Sequence, residues 1–370
     1  MARQFDVPLF YQSEIISTVK DARQAADPRK KDLEPSVLDF GPVRFKIARH
    51  FGFCYGVENA IEIAYEALEE NPGKRIFLLS EMIHNPHVNE DLQERGVDTE
   101  TYDTTCPFVE KVWRKSDQIG EKDYSIVVHG RRYHEETRAT ISHAKEHGPV
   151  VVVRDMDEAE DLAAVVRGEK SPEFFYEQFE DRYSEGFDPK TDLRRVGVVN
   201  QTTMLATETQ AIADLLSEAM QQRYGEANLE EHFADTSDTL CYATNENQDA
   251  TLKLIEDGGD VALVVGGYNS SNTSHLVELC EEHMPTYFIR GASAIDGPER
   301  LQHFDLHAGE EREATDWLPN DDRPVDVVLN AGASCPDALL DEVLREVISW
   351  FPEARPVEDV IAPYQEKVEA

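Results

Sequence analysis

The chain of 370 residues is long enough to form two or three domains. It carries 74 acidic and 36 basic side chains, a formal net charge of −38, which argues against nucleic-acid binding because phosphate contacts need a basic face. No apolar run approaches the roughly 18 residues of a membrane span, and the opening MARQFDVPLF is unlike a secretory signal. We therefore expect a soluble, cytoplasmic protein that binds neither nucleic acid nor membrane.

Along the chain, the first 43 residues are polar and are predicted to be an N-terminal extension. From Val43 onward, runs rich in valine and isoleucine alternate with amphipathic helical runs, which indicates parallel α/β sheets. The predicted strands are FKIAR, RIFLLS, YSIVVHG, VVVVRD, VGVVNQ, VALVVGG, TYFIRG and VDVVLNAG. The predicted segments are an extension 1–43, α/β units 44–105, 106–240 and 241–352, an insertion 168–194 within the second unit, and a C-terminal tail 353–370.

Three cysteines each lie between a predicted strand and a predicted helix. They are Cys54 in GFCYGVENAI, Cys106 in DTTCPFVEKV and Cys241 in DTLCYATNEN. The N–H groups and partial positive charge of a helix N-terminus lower the pKa of a thiol there and favour metal ligation. Their spacing is too wide for a zinc-finger knuckle. Three thiolates without a matching fourth favour an iron–sulfur cluster with one open iron.

The other two cysteines have simpler interpretations. Cys280 lies on the apolar face of a predicted helix and is expected to be a core residue. Cys335 in AGASCPD is compatible with core packing or with a role as a fourth ligand. Disulfides are not expected, because five cysteines are an odd number and no signal peptide is apparent.

Polar side chains follow many of the predicted strands, where open α/β sheets bind their ligands. Ser, Thr and Asn before a helix are also ordinary N-caps, so one such loop alone says little. Hydroxyls, amides and helix N–H groups nevertheless bind phosphate oxygens without Lys or Arg. The residues concerned are His84, His129, His134, Glu135, Glu136, Gln201, Thr202, Thr203, Asn269, Ser270, Ser271, Asn272 and Ser334.

Eight separated motifs together resemble the LytB/IspH family of 4-hydroxy-3-methylbut-2-enyl diphosphate reductases. The resemblance runs in order from about Phe45 to Leu340, and the HEET form and the insertion resemble the plant and cyanobacterial branch of that family. The motifs are GFCYGVENAI, EMIHNP, DTTCP, HGRRYHEETRAT, NQTTM, CYAT, VVGGYNSSNTSHL and AGASCPD.

The resemblance implies three α/β units in a pseudo-threefold cloverleaf around one central 4Fe–4S cluster. It implies that Cys54, Cys106 and Cys241 are the cluster ligands. It also implies a set of residues that bind the diphosphate of an allylic substrate: His84, His134, Thr202, Ser270, Ser271, Asn272 and Ser334.

The implied reaction is the two-electron reductive removal of an allylic hydroxyl, which gives isopentenyl and dimethylallyl diphosphates at the last step of the methylerythritol phosphate pathway. Electrons come from ferredoxin, flavodoxin or a similar donor. The proton-delivering glutamate of the family follows its histidine by two positions, which selects Glu136 rather than Glu135, with Thr202 as a relay. Because this acid must hold its proton near neutral pH, we expect burial to raise the pKa of Glu136.

One interval departs from the family pattern. The family has a further helix, strand and turn between the motifs that here contain Asn85 and Cys106, whereas this interval offers only one helix and one short strand. We therefore predict that the first unit lacks a strand and that one wall of the pocket is open, while the cluster ligands still converge.

Two alternatives remain at this stage. One is another three-cysteine 4Fe–4S enzyme, such as a quinolinate-synthase-like dehydratase, against which the NSSN and HEET motifs argue. The other is a non-enzymatic module that binds a structural metal such as zinc, which would be colourless and redox-silent. A brown protein whose cluster signal responds to an allylic diphosphate would exclude both.

Overall fold

The computed structural model describes residues 5–79, 83–100, 109–234, 241–319 and 323–369. The chain divides into two compact units. The first comprises Met1–Glu100 together with Asn245–Ala370, and the second comprises Thr101–Thr244. The boundaries predicted near residues 105 and 240 remain predictions.

Helices and strands alternate through most of the described chain, so the predicted α/β class is confirmed. The helices are α1 Glu14–Ala26, α2 Tyr55–Glu70, α3 Pro86–Glu94, α4 Glu110–Gly120, α5 Glu135–Ala144, α6 Met156–Arg167, α7 Pro172–Gln178, α8 Ala206–Tyr224, α9 Leu229–His232, α10 Tyr242–Glu256, α11 Ser271–Glu281, α12 Asp337–Ser349 and α13 Val357–Glu369. The strands are β1 Ser36–Asp39, β2 Val43–Ile47, β3 Ile76–Leu79, β4 Val97–Glu100, β5 Ser125–His129, β6 Val150–Val153, β7 Val196–Asn200, β8 Val261–Val265, β9 Thr286–Ile289, β10 Arg300–Asp305, β11 Glu310–Thr315 and β12 Val325–Ala331. All eight predicted strands are confirmed.

The largest sheet lies in the first unit, with strand order β1-β2-β12-β8-β9. β2, β12, β8 and β9 run parallel, and β1 pairs antiparallel with β2. All five residues of β8 are buried, as expected for a strand covered on both faces. The carboxyl ends of β8 and β12 therefore lie side by side, and the loops that follow them meet at one edge.

The segment predicted as an N-terminal extension is part of this core. Ile15 and Ile16 of α1 and Leu38 of β1 are fully buried, and α1 packs against α13, which lies in the predicted C-terminal tail. The prediction rested on average polarity, which conceals an amphipathic helix whose apolar stripe is only part of its surface.

A two-stranded parallel sheet of β3 and β4 also belongs to the first unit. Its small core includes Ile61 of α2, Val88 and Leu92 of α3, and Val97 of β4. The described part of the interval after Asn85, residues 86–100, thus supplies one helix and one short strand, as predicted.

The second unit contains a three-stranded parallel sheet in the order β6-β5-β7. Alternate side chains enter two separate cores, for example Val127 on one face and Ile126 and Val128 on the other. Since β5 and β7 are neighbours and parallel, the loops after His129 and Asn200 emerge at the same edge of the sheet.

The predicted insertion 168–194 packs onto the second unit. Phe175, Phe179 and Phe187 are buried in the core that also receives Val127. An isolated bridge between Val151 and Tyr183 attaches this segment to β6.

An antiparallel hairpin of β10 and β11 was not predicted. Its strands are rich in charged residues, and Leu301 is the fully buried anchor of the first strand. Cross-strand pairing, rather than an apolar pattern, identifies it.

Among the described helices, none combines the length and the apolarity that crossing a membrane requires.

Candidate functional site

Two of the three predicted cluster ligands are described, and each lies at the start of a helix. Cys54 is the N-cap of α2, with extended backbone, and its N–H donates to the Ala333 carbonyl oxygen at 3.0 Å. Cys241 directly precedes α10, and the backbone N–H groups of Ala243 and Thr244 donate to its sulfur. The predicted position of these thiols before helices is confirmed, whereas Cys106 lies outside the described residues.

The expectation of a lowered thiol pKa is wrong for Cys241. Burial raises the pKa of this thiol, and the N–H donors of Ala243 and Thr244 only oppose that effect. Desolvation of the sulfur thus outweighs the helix terminus in setting this pKa.

The two remaining cysteines lie in the hydrophobic core of the first unit. Cys280 and Cys335 are fully buried, which raises the pKa of Cys280 to about 12 and that of Cys335 well above its usual range. The Cys335 thiol donates to the Pro336 carbonyl oxygen at 3.6 Å. These surroundings favour a packing role for both thiols.

In the first unit, three polar loops come into direct contact. Ser334, in the loop after β12, donates its hydroxyl to the His84 carbonyl oxygen at 3.0 Å. In the same loop, the Ala333 N–H donates to Asn272 Oδ1 at 2.8 Å. Because the Cys54 N–H donates to the Ala333 carbonyl oxygen, hydrogen bonds connect the cysteine to these polar loops.

Two glycines make this approach possible. A Cβ on Gly267 would lie 2.4 Å from the His84 carbonyl oxygen, and a Cβ on Gly332 would lie 1.9 Å from Thr273 Oγ1. Both distances are far inside normal contact, so only glycine lets the loops after β8 and β12 pack this closely.

Ser270, Ser271 and Asn272 form the buried N-terminus of α11. Ser270 is the N-cap, and its Oγ accepts from the Thr273 N–H at 3.3 Å, as an ordinary cap does. The Asn272 Nδ2 amide, however, is buried without a hydrogen-bond partner in the described part of the chain. A buried donor of this kind is suited to a ligand oxygen.

In the second unit, the loop after β5 starts α5 with a histidine cap. Nδ1 of His134 accepts from the Glu136 N–H at 3.2 Å. An accepting Nδ1 leaves the proton of the neutral ring on Nε2. His134 is therefore oriented as a donor through Nε2.

Glu136 and Thr202 are in direct contact. The N–H of Thr202 donates to Glu136 Oε1 at 2.5 Å, and its hydroxyl donates to Oε2 at 2.9 Å. Burial raises the pKa of Glu136 to about 7, against the opposing effect of these two donors. The expected elevation of this pKa is confirmed, and Thr202 contacts Glu136 through both its N–H and its hydroxyl group.

The same loop also reaches a predicted cluster ligand. The Thr202 carbonyl oxygen accepts from the Cys241 N–H at 3.4 Å. The second unit thus brings together a carboxyl group of elevated pKa, a hydroxyl group and a thiol.

The sequence identified Gln201 only as one of many polar loop residues. In the structure it connects the loop after β7 to the loop after β5 and to α5. Its Oε1 accepts from the Thr137 hydroxyl at 2.9 Å and from the Arg131 N–H at 3.1 Å. A Cβ on Gly130 would lie 2.7 Å from Thr137 Oγ1, so this glycine is needed too. Sequence reasoning missed the role because burial of a glutamine is not visible in a polar motif.

Curated proteins of similar sequence include several 4-hydroxy-3-methylbut-2-enyl diphosphate reductases. The chloroplastic 4-hydroxy-3-methylbut-2-enyl diphosphate reductase of Botryococcus braunii is 38% identical over 356 residues, covering 83% of this chain and 70% of the relative. The 4-hydroxy-3-methylbut-2-enyl diphosphate reductase of Thermosynechococcus vestitus is 37% identical over 349 residues, covering 84% of this chain and 85% of the relative.

Among solved structures, the E-1-hydroxy-2-methyl-but-2-enyl-4-diphosphate reductase from Plasmodium falciparum matches the fold with a TM-score of 0.58. It is 18% identical, and the match covers 82% of this chain and 87% of that chain. At this identity the likeness concerns the fold alone.

A model of the family described as LytB protein matches residues 45–101 and 98–348. The two matches meet inside the interval from Asn85 to Cys106, where a family segment was predicted to be missing. The alignment with the Botryococcus protein is also longer than the part of this chain that it covers, so the relative has residues that this chain lacks. Since the matches extend over most of its length, the chain belongs to the LytB protein family.

Proposed function

We propose that this protein reduces (E)-4-hydroxy-3-methylbut-2-enyl diphosphate to isopentenyl and dimethylallyl diphosphates, as the last step of the methylerythritol phosphate isoprenoid pathway. The names of its relatives support this activity. Within the chain, the observation that carries the proposal is the buried Glu136 carboxyl, with a pKa of about 7 and two hydrogen bonds from Thr202. The reaction consumes two electrons and two protons and releases the hydroxyl oxygen as water.

Glu136 is proposed as the proton donor to the departing hydroxyl group. Hydroxide is a poor leaving group, so a positioned acid must protonate it. A carboxyl group with a pKa of about 7 keeps a large protonated fraction at neutral pH, unlike an exposed glutamate. Thr202 Oγ1 is 2.9 Å from the carboxyl and can accept its proton while donating its own.

The hydroxyl and amide groups of the first unit are proposed to bind the diphosphate. Neutral donors at the N-terminus of α11 suit phosphate oxygens, and the helix dipole adds to their effect. The unpartnered Asn272 Nδ2 is one such donor. The proposed set, following the family resemblance, is His84, Ser270, Ser271, Asn272 and Ser334, with His134 and Thr202 from the second unit.

Cys54, Cys106 and Cys241 are proposed to bind one 4Fe–4S cluster. The two described thiols fit this role, because both lie at helix N-termini and the sulfur of Cys241 accepts N–H bonds of the kind that tune cluster sulfurs. When bound, the cluster supplies the electrons and a Lewis-acidic iron. Ferredoxin, flavodoxin or a similar protein is the proposed electron donor.

The cytoplasm is the proposed compartment. The four described cysteines Cys54, Cys241, Cys280 and Cys335 form no disulfide among the residues that the structure describes. Disulfides are rare in reducing compartments, and the odd number of five cysteines in the sequence does not suggest a disulfide framework.

Anaerobic purification followed by iron and sulfide analysis and an assay with a reduced dye tests the proposal. We expect a brown protein that consumes reduced dye only when the allylic diphosphate is added. Activity would also show that the segment missing after Asn85 is dispensable. A colourless protein, or a cluster whose signal responds to a dicarboxylate and not to the allylic diphosphate, would contradict the proposal.

A further inference from the structure

A second group of metal-ligating side chains lies at the opposite edge of the three-stranded sheet from Glu136. Asp117 is near the end of α4, which leads into β5, and His143 and His147 precede β6. Glu136 and Thr202 follow the carboxyl ends of β5 and β7, and all three strands are parallel. The proposed reductase chemistry makes no use of these three residues.

One carboxylate oxygen is the common partner of both histidines. Nε2 of His143 lies 2.7 Å from Asp117 Oδ1, and Nε2 of His147 lies 3.2 Å from the same atom. The three ligand atoms all lie within 4.8 Å of one another. Each side chain is about one-third exposed, so an ion from solvent can reach them.

These separations are close to those of a tetrahedral metal site. With metal–ligand distances of about 2.0–2.1 Å, two ligand atoms on one ion lie about 3.3 Å apart. The His147–Asp117 pair already has this separation, and the His143–Asp117 pair must open by only about 0.6 Å to reach it.

Local packing positions the His143 ring and brings the backbone of His147 close to α4. The Trp113 ring stacks on His143 with centroids 4.9 Å apart and an angle of 14°. A Cβ on Gly120 would lie 2.6 Å from the His147 carbonyl oxygen, so this glycine lets the end of α4 approach His147. The two histidines are also separated by three residues, a spacing common in zinc sites.

We propose that Asp117, His143 and His147 form a binding site for one divalent transition-metal ion of the Zn²⁺ class, with the remaining coordination position left to water. Imidazole selects Zn²⁺, Ni²⁺ and Cu²⁺ over Mg²⁺ and Ca²⁺. On binding, the proton on Nε2 of each ring moves to Nδ1 or to solvent, so that each neutral ring coordinates the ion through Nε2 and carries one proton on Nδ1. Asp117 Oδ1 exchanges the two N–H donors for the cation. The ion links α4 to the turn after α5 and stabilises the second unit.

The test is calorimetric titration of the anaerobic holoenzyme with Zn²⁺ in excess Mg²⁺, which occupies nonspecific carboxylate sites. We expect one additional ion per chain, bound without change in the EPR signal of the cluster. The double variant His143→Ala/His147→Ala should weaken binding at least on the order of tenfold. Its matched control is His307→Ala, which removes another histidine paired with a carboxylate, at 2.9 Å from Glu281, but outside the triad.

Two further measurements separate loss of the site from misfolding. Asp117→Asn keeps the side-chain shape and should also weaken binding, while reductase activity reports that each variant is folded. Ni²⁺ should quench the fluorescence of Trp113, and Trp113→Phe should bind the ion without that quenching. No binding in excess Mg²⁺, or equal binding by the wild type and the double variant, would overturn the proposal.

Discussion

Two glutamates in the second unit are equally buried, with 6% exposure each, yet their surroundings differ completely. Glu158 lies 2.5 Å from Arg182 Nη1, accepts from the Arg154 N–H at 2.8 Å, and has a second guanidinium at 3.7 Å. Among described residues, only the N–H and the hydroxyl group of Thr202 counteract the rise in the pKa of Glu136 that burial causes, and neither group is charged. Removing the charge of a buried carboxylate beside arginines leaves those cations without their partner and destabilises the fold, whereas a buried carboxyl without a cation keeps its proton and is available for chemistry.

The largest expected effect is on turnover. Glu136→Gln removes the acid but keeps the shape of the side chain, so kcat should fall on the order of 10²–10⁴-fold. Glu135→Gln, one residue away on the same helical turn, is the matched control and should retain near-normal turnover. A Glu136→Gln enzyme as active as this control would remove the proposed role of Glu136.

The second-largest expected effect is a dependence of the free energy of unfolding on pH that comes from Glu136. The pKa of Glu136 rises from 4.5 to about 7 in the folded protein. The native state therefore binds more protons between these values, and the free energy of unfolding should fall as pH rises through this window, by about 3 kcal/mol. Above pH 7 this contribution should be constant.

Denaturant titrations of wild type and Glu136→Gln at several pH values measure this effect. The variant should lack that part of the pH dependence, while Glu158→Gln should keep it. The activity of the wild type should likewise decline as pH rises through about 7, because only the protonated carboxyl donates. Identical stability profiles for wild type and Glu136→Gln would contradict the elevated pKa.

A smaller loss of stability is expected from Glu158→Gln. It removes the charge that faces Arg182 and weakens the bond from the Arg154 N–H, which should lower the free energy of unfolding by about 2 kcal/mol. Once folded, the variant should turn over like the wild type. A loss of activity without a loss of stability would show that Glu158 has a role in turnover, as proposed for Glu136, and would contradict a purely stabilising role.

The smallest effect should come from Thr202→Val, which removes the hydroxyl but keeps the N–H donor. Because the hydroxyl lowers the pKa of Glu136, its loss should move the alkaline limb of the rate profile to higher pH. Turnover should fall by about tenfold if the hydroxyl relays the proton. Thr202→Ser should restore both properties, and an unchanged profile in Thr202→Val would exclude the relay.

Several features of this fold follow from local sequence patterns. Strands such as β5, β6 and β8 are short runs of buried valine and isoleucine, and they are recognisable because parallel strands are apolar on both faces. The contact between Glu136 and Thr202 agrees with the relay role that the family resemblance implied for Thr202. By contrast, β1 and the β10–β11 hairpin are charged or short, and only their pairing with the neighbouring strand of the chain identifies them.

The sequence by itself determined the α/β class and the position of Cys54 and Cys241 before helices, because each depends on neighbouring residues. The choice of Glu136 over Glu135 followed from a family motif and stays a prediction. The tertiary structure alone decided that burial outweighs the helix terminus in setting the pKa of Cys241. It alone placed Asp117 beside two histidines that lie about one helix further along the chain. Desolvation and side-chain contact depend on which surfaces pack together in space, and no local pattern contains that information.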